Sequence, residues 1–155
     1  MPIVRTAELG TVEYTISKIV KVDDKATWYK FGDRKMLFRI RARMKAGVVI
    51  ENESCYNAQI DEEKSSIVLT LPHAKVLSFD FSPLDAELMY EQVSLTRFDF
   101  SNEERNAVLR HAQCDILSDK SEDIVNDAEA NARLYFETML KEIGFSHVTV
   151  IFTNN

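Results

Sequence analysis

Glycine is scarce in this chain. There are four in 155 residues and none form a cluster, so no glycine-rich loop exists to cradle a phosphate. Cysteine is scarcer, with only Cys55 and Cys114. Their spacing demands no disulfide and permits one, and the plainer expectation is two small, mostly buried thiols. No Cys-x-x-Cys or His-Glu-x-x-His pattern occurs, which removes the common signatures of zinc sites. No apolar run approaches the ~18 residues of a membrane span. The opening Met1-Pro2-Ile3-Val4-Arg5 has no apolar core of a signal peptide. Bases are outnumbered, 19 against 25 acids, and the net charge of −6 argues against generic nucleic-acid binding.

What is present is a soluble globular composition, 45% hydrophobic and 28% charged, long enough for a proper core. The last third organises the rest. Ser101-Asn102-Glu103-Glu104 reads as a capping box. It opens a helix with Val108, Leu109, Ala112 and Ile116 on one side, ending near Leu117 to Asp119. Ser121 then reads as a second N-cap, with Glu122 and Asp123 favoured by the helix dipole. The second helix carries Ile124, Ala128, Ala132, Tyr135, Met139 and Ile143 as one apolar stripe, widened by Val125, Phe136 and Leu140. Tyr135 and Met139 are expected in the core. Gly144 is the natural stop, with Phe145 packing back onto the last turn. Val148, Val150 and Phe152 then alternate with His147, Thr149 and Ile151, as in a strand.

The first two thirds supply a sheet for these helices. Thr11 to Val22 alternates as a strand, with a slip of phase at Lys18-Ile19 that suggests a bulge. Asp23-Asp24-Lys25 makes a turn. Trp28, Tyr29 and Phe31 cluster near a hairpin tip that turns again at Gly32-Asp33. Lys35 to Ala46 is the clearest strand. Met36, Phe38, Ile40, Ala42, Met44 and Ala46 point one way, and Leu37, Arg39, Arg41, Arg43 and Lys45 the other. Gly47 is expected to break or bend it. After a polar loop at Glu51 to Ser54, with Cys55 opening the next strand, Tyr56–Ile60 and Ser66–Leu71 form a hairpin around Asp61 to Ser65. Ala74–Phe81 is a strand with Leu77, Phe79 and Phe81 inward. Ser82-Pro83 starts a short helix that buries Leu84, Leu88 and Met89. The expected class is α+β: a largely antiparallel sheet, two C-terminal helices packed on one face, and a final strand. Residues 1–10 are expected as an edge segment or the remnant of a tether, and 11–153 as a single domain.

Several short motifs in order carry a family resemblance. They are Glu13-Tyr14, Lys35-Met36-Leu37-Phe38 leading to Lys45-Ala46-Gly47, Leu71-Pro72-His73-Ala74-Lys75-Val76-Leu77-Ser78, Asn131-Ala132 and Gly144-Phe145. Together they resemble the bacterial domain-of-unknown-function family 4230, from about Glu8 to Phe152. Members typically carry one N-terminal membrane segment. The resemblance therefore implies a soluble domain held at a bacterial membrane, outside the cytoplasm, and it brings no catalytic residue.

The residues offer few sites for chemistry. His111, Cys114 and Asp115 share one helical turn and could join His147 around a metal on paper, but no second ligand pair has defined spacing. No third group orients Cys114 and His111 as a nucleophile pair. His73 follows Pro72 at a strand corner, where a solvated turn residue is the plain expectation and a proton carrier the sharper one. Glu62-Glu63, Glu103-Glu104 and Glu122-Asp123 fall in a turn and at helix starts, where local structure explains them.

One feature exceeds background. From Arg34 to Lys45 there are six bases and no acid, while residues 101–142 hold ten acids and five bases, a net of −5. Arg39, Arg41, Arg43 and Lys45 share one strand face and repel one another unless partnered. Either Glu13 and other acids neutralise a solvated face, or the face meets an anionic partner. The expectation is accordingly a non-enzymatic, membrane-tethered binding or assembly domain. It uses those four residues against an anionic membrane surface or another protein, with no cofactor, no catalytic residue, no metal and no nucleic acid. The alternatives are an enzyme whose site is assembled from scattered residues, and an oligomerisation domain whose Tyr135–Met139 stripe is left partly exposed.

Overall fold

The computed structural model describes residues 6–24, 34–81, 87–93 and 102–154. The elements in order are β1 (Ala7–Asp24), β2 (Arg34–Ile50), a 3₁₀ turn (Glu53–Cys55), β3 (Asn57–Asp61), β4 (Ser66–Pro72), β5 (Lys75–Phe81), β6 (Glu87–Val93), α1 (Asn102–Ile143) and β7 (His147–Thr153). The α+β class holds. A four-stranded sheet has the order β1-β2-β5, with β6 also on β2, and a three-stranded sheet has the order β3-β4-β7. β6 runs antiparallel to β2, β3 antiparallel to β4, and β7 parallel to β4.

The chain forms two compact units. One comprises Met1–Glu13, Met44–Ser78 and Ser121–Asn155, the other Tyr14–Arg43 and Phe79–Lys120. In the second, Phe38, Ile40 and Ala42 of β2 are buried with Leu109, Ala112 and Ile116 of α1. Ile16, Val20, Phe79, Phe81 and Val108 pack against that cluster. In the first unit the buried residues include Met44, Ala46 and Val48, Ile67, Leu69 and Leu71, Ile124, Ala128, Ala132 and Leu140, and Val150.

The largest correction is the helix. Two were expected, and one continuous helix of 42 residues is found. Ser118-Asp119-Lys120-Ser121 are polar, but none is glycine or proline, and Ser or Asp inside a helix costs only about 0.5 kcal/mol relative to Ala. The buried positions also keep a helical spacing across the expected break. Ile116 is followed eight residues later by Ile124, two steps of four, and then by Ala128 and Ala132. Continuing by fours gives half-buried Phe136 and buried Leu140. The expected stripe drifted by one residue instead, so Tyr135 and Ile143 are exposed, at 53% and 68%, and Met139 is only half-buried. Gly144 ends the helix as expected. Its φ is +130°, the Phe145 amide donates to the Leu140 carbonyl and the Gly144 amide to the Lys141 carbonyl, each at 3.2 Å. This is the double bond of a Schellman motif.

The strands also differ in detail. β1 starts at Ala7, and its alternation runs unbroken from Val12 to Val20, so Lys18 stays on the inward side and Ile19 is exposed. No slip occurs at Lys18-Ile19. The irregularity lies instead at Gly10, whose φ is +63°. A Cβ there would sit 2.6 Å from the Ala132 Cβ and 2.7 Å from the Ala128 carbonyl oxygen. β1 thus lies directly on the two small residues of α1, and only glycine allows it. Gly47 does not end β2, which runs on to Ile50. It lies buried with the Leu9 carbonyl, a Leu77 methyl and the Thr11 hydroxyl 3.2–3.3 Å from where a Cβ would be.

The hairpin of β3 and β4 forms as expected, with Asp61 paired to Ser66. Cys55 belongs to the 3₁₀ turn rather than to a strand. Both cysteines are free, and Cys114 is exposed rather than buried. Leu88 and Met89 lie on strand β6, not on a short helix. Residues 25–33, which hold the Trp28, Tyr29 and Phe31 cluster, and residues 82–86 and 101, with Pro83, Leu84 and the Ser101 cap, lie outside the described residues.

Candidate binding face

β2 places its basic residues by the same alternation that builds the core. Phe38, Ile40, Ala42, Met44 and Ala46 are all buried on one side. Arg39, Arg41 and Arg43 therefore project from the other side of the strand within the second unit. Arg39 is half-buried and has a partner within the protein. Arg41 and Arg43 are exposed and make no ion pair among the described residues. Lys45, in the first unit, is occupied: its Nζ lies 2.9 Å from Oε2 of Glu8, with both side chains partly exposed. Glu8 was not the acid expected to neutralise this face; Glu13 was. The left-handed Gly10 stands between Glu8 and the regular exposed series that begins at Thr11, and so changes which residues of β1 face outward.

A second cluster was not visible in the sequence. His73, at the corner between β4 and β5, holds its Nδ1 2.7 Å from Oε1 of Glu129 on α1. The Ala74 amide donates to that same oxygen at 3.0 Å. The His73 ring stacks on Phe152 of β7 with centroids 6.3 Å apart, and the Arg133 guanidinium lies 5.3 Å from the Phe152 centroid. His73 is thus not a free turn residue. Glu129 is a carboxylate beside Ala128 and Ala132, and its side chain is only 17% exposed. A mostly buried acid needs partners, and these are they.

The other candidates stay dispersed. His111 and Asp115 face a shallow open groove with Val20, Lys21 and Val108, their side chains 3.8 Å apart. Cys114 does not line it. Among the described residues no group of three or more His, Cys, Asp or Glu side chains could hold a metal ion. Glu122-Asp123 are exposed in mid-helix rather than at an N-terminus, while Glu103-Glu104 do occupy a first turn. Glu62-Glu63 are exposed in the hairpin turn.

No helix among the described residues is long and apolar enough to cross a membrane. No curated protein and no solved structure matches the chain. The motif order noted above is, however, matched by a family model described as a protein of unknown function, DUF4230. That match spans residues 3–150, nearly the whole chain, and the chain belongs to that family.

Proposed function

We propose that this chain is a non-enzymatic binding domain and that the arginine face of β2 is its contact surface for an anionic partner. The observation that carries this is the exposure of Arg41 and Arg43, without an ion pair among the described residues, in a chain of net charge −6. Like charges two residues apart on a strand repel, and an anionic surface relieves that repulsion. With the membrane segment that the family resemblance implies, the partner class is anionic lipid headgroups beside a bacterial membrane. A tethered domain meets such headgroups at high effective concentration.

Co-sedimentation with anionic and neutral vesicles, at low and high salt, tests this. Each basic residue near an anionic surface contributes about 1 kcal/mol, so an Arg39/Arg41/Arg43→Gln triple variant should bind about 100-fold more weakly. Wild-type binding should fall steeply with salt. Absence of binding to anionic vesicles at low salt would remove the proposal. Binding to a soluble polyanion alone would replace the headgroups as partner.

A second reading, self-association, is favoured by one observation. Leu134, Tyr135 and Ile143 stand exposed on α1, and Leu134 and Tyr135 border a shallow groove with Met139. Apolar groups of this size left in water mark interaction surfaces when they are contiguous. A Tyr135→Glu variant whose mass in solution equals that of the wild type at all concentrations argues against it.

A further inference from the structure

We infer that β7 is a self-pairing edge, joining two copies of the chain through an antiparallel β7–β7 ladder. The inference does not depend on the arginine face.

Among the described residues, the strand order β3-β4-β7 leaves β7 paired on one side only. Its register with β4 runs without interruption from Ser66↔His147 to Pro72↔Thr153. Every second residue of β7 therefore presents its N–H and C=O to the open side. Open edges are usually guarded by charge, proline or a bulge. The other edge strands among the described residues carry such residues. β1 has Glu8, Glu13, Lys18, Lys21, Asp23 and Asp24, and the left-handed Gly10. β5 has Lys75 and Asp80, and β6 has Glu87 and Glu91. β3 ends in Asp61, with Glu53 before it and Glu62 and Glu63 after. β7 reads His-Val-Thr-Val-Ile-Phe-Thr, with no Lys, Arg, Asp, Glu, Pro or Gly. β4 is similarly uncharged, but it is paired on both sides.

A bare backbone ladder is recognised by another strand, and charge selects which one. Two copies of β3 brought together antiparallel would gather acids at both ends of the ladder. Two copies of β7 bring none. An antiparallel pair centred on Val150 aligns the whole strand: His147 with Thr153, Val148 with Phe152 and Thr149 with Ile151 of the second copy. Each pair then shares a face, because cross-strand partners point the same way. Thr149 and Ile151 lie on the exposed face, while Val148, Val150 and Phe152 are half-buried or buried. On the inner face Val148 thus meets Phe152 and Val150 meets Val150, on the outer face Thr149 meets the exposed Ile151, and two three-stranded sheets become one of six strands, order β3-β4-β7-β7-β4-β3.

Sedimentation of the full chain over a range of concentrations tests this. The wild type should rise with concentration to twice the monomer mass. A Thr149→Lys/Ile151→Lys variant places like charges opposite each other twice and should remain monomeric with an unchanged fold by circular dichroism. A Thr149→Lys/Ile151→Glu variant sets opposite charges across the same pairs and should regain the dimer. In the wild type, hydrogen exchange should show the alternate β7 amides that point away from β4 becoming protected as concentration rises. That measurement decides the matter even if a variant unfolds. A wild type that is monomeric throughout overturns the inference. So does a dimer that survives Thr149→Lys/Ile151→Lys, or one lost instead in Tyr135→Glu, which would place the contact on the helix.

Discussion

One oxygen of Glu129 serves both His73 and the Ala74 amide, so a single carboxylate fastens a strand corner to a helix 55 residues away. Glu129→Ala should cost about 1–3 kcal/mol, because the amide of buried Ala74 then loses its acceptor. Glu129→Gln keeps an acceptor oxygen and should cost less. Urea denaturation of both variants checks this, and equal losses would mean the carboxylate fills space rather than bonds. The two inner glycines make a sharper contrast. A methyl at Gly10 meets helix backbone at 2.6–2.7 Å in a left-handed conformation. Gly10→Ala should cost about 2–5 kcal/mol, combining overpacking with the left-handed penalty. A methyl at Gly47 meets neighbours at 3.2–3.3 Å and carries no such penalty, so Gly47→Ala should cost clearly less by the same denaturation.

At the scale of elements, one substitution separates one helix from two. Glu122 is exposed in mid-helix, yet it would be the first residue of a second helix capped by Ser121. Proline is tolerated at such a first position, but in a helix interior it costs about 3 kcal/mol or more. Glu122→Pro should therefore destabilise the protein by about that amount; a melting curve like the wild type's would restore the break. The sequence made the strands legible because alternation on β2, β4 and β7 is read one residue at a time. It made the helix stop legible because Gly144 has one use there. It misled at Ser118 to Ser121, where capping residues stand but no breaker does, and tertiary burial on both sides carries the helix through. It misled again at Tyr135, where the spacing of three from Ala132 is as helical as the spacing of four to Phe136. Only packing chooses between them. The basic face was visible as a row. That Glu8 occupies Lys45 was not, because the left-handed Gly10 re-aims the start of β1. The His73–Glu129 contact joins residues 56 positions apart and left no local trace.

For the molecule as a whole, the two units differ in how the chain builds them. The second uses two stretches and the first uses three, Met1–Glu13, Met44–Ser78 and Ser121–Asn155. The hairpin turn closes against the end of α1. The Ser65 hydroxyl donates to the Gly144 carbonyl at 3.0 Å, and the amides of Ser146 and His147 donate to the Ser65 carbonyl. The parallel ladder begins one residue further on, with Ser66 against His147. A polypeptide emerges from the ribosome at about 5–20 residues per second, so the 81 positions from 66 to 147 take about 4–16 s to appear. Throughout that interval β4, an uncharged strand with Ile67, Leu69 and Leu71 destined for the core, has only β3 beside it. Each newborn chain therefore carries an exposed, adhesive strand for seconds. Crowding of nascent chains on one message should therefore favour misassembly through β4.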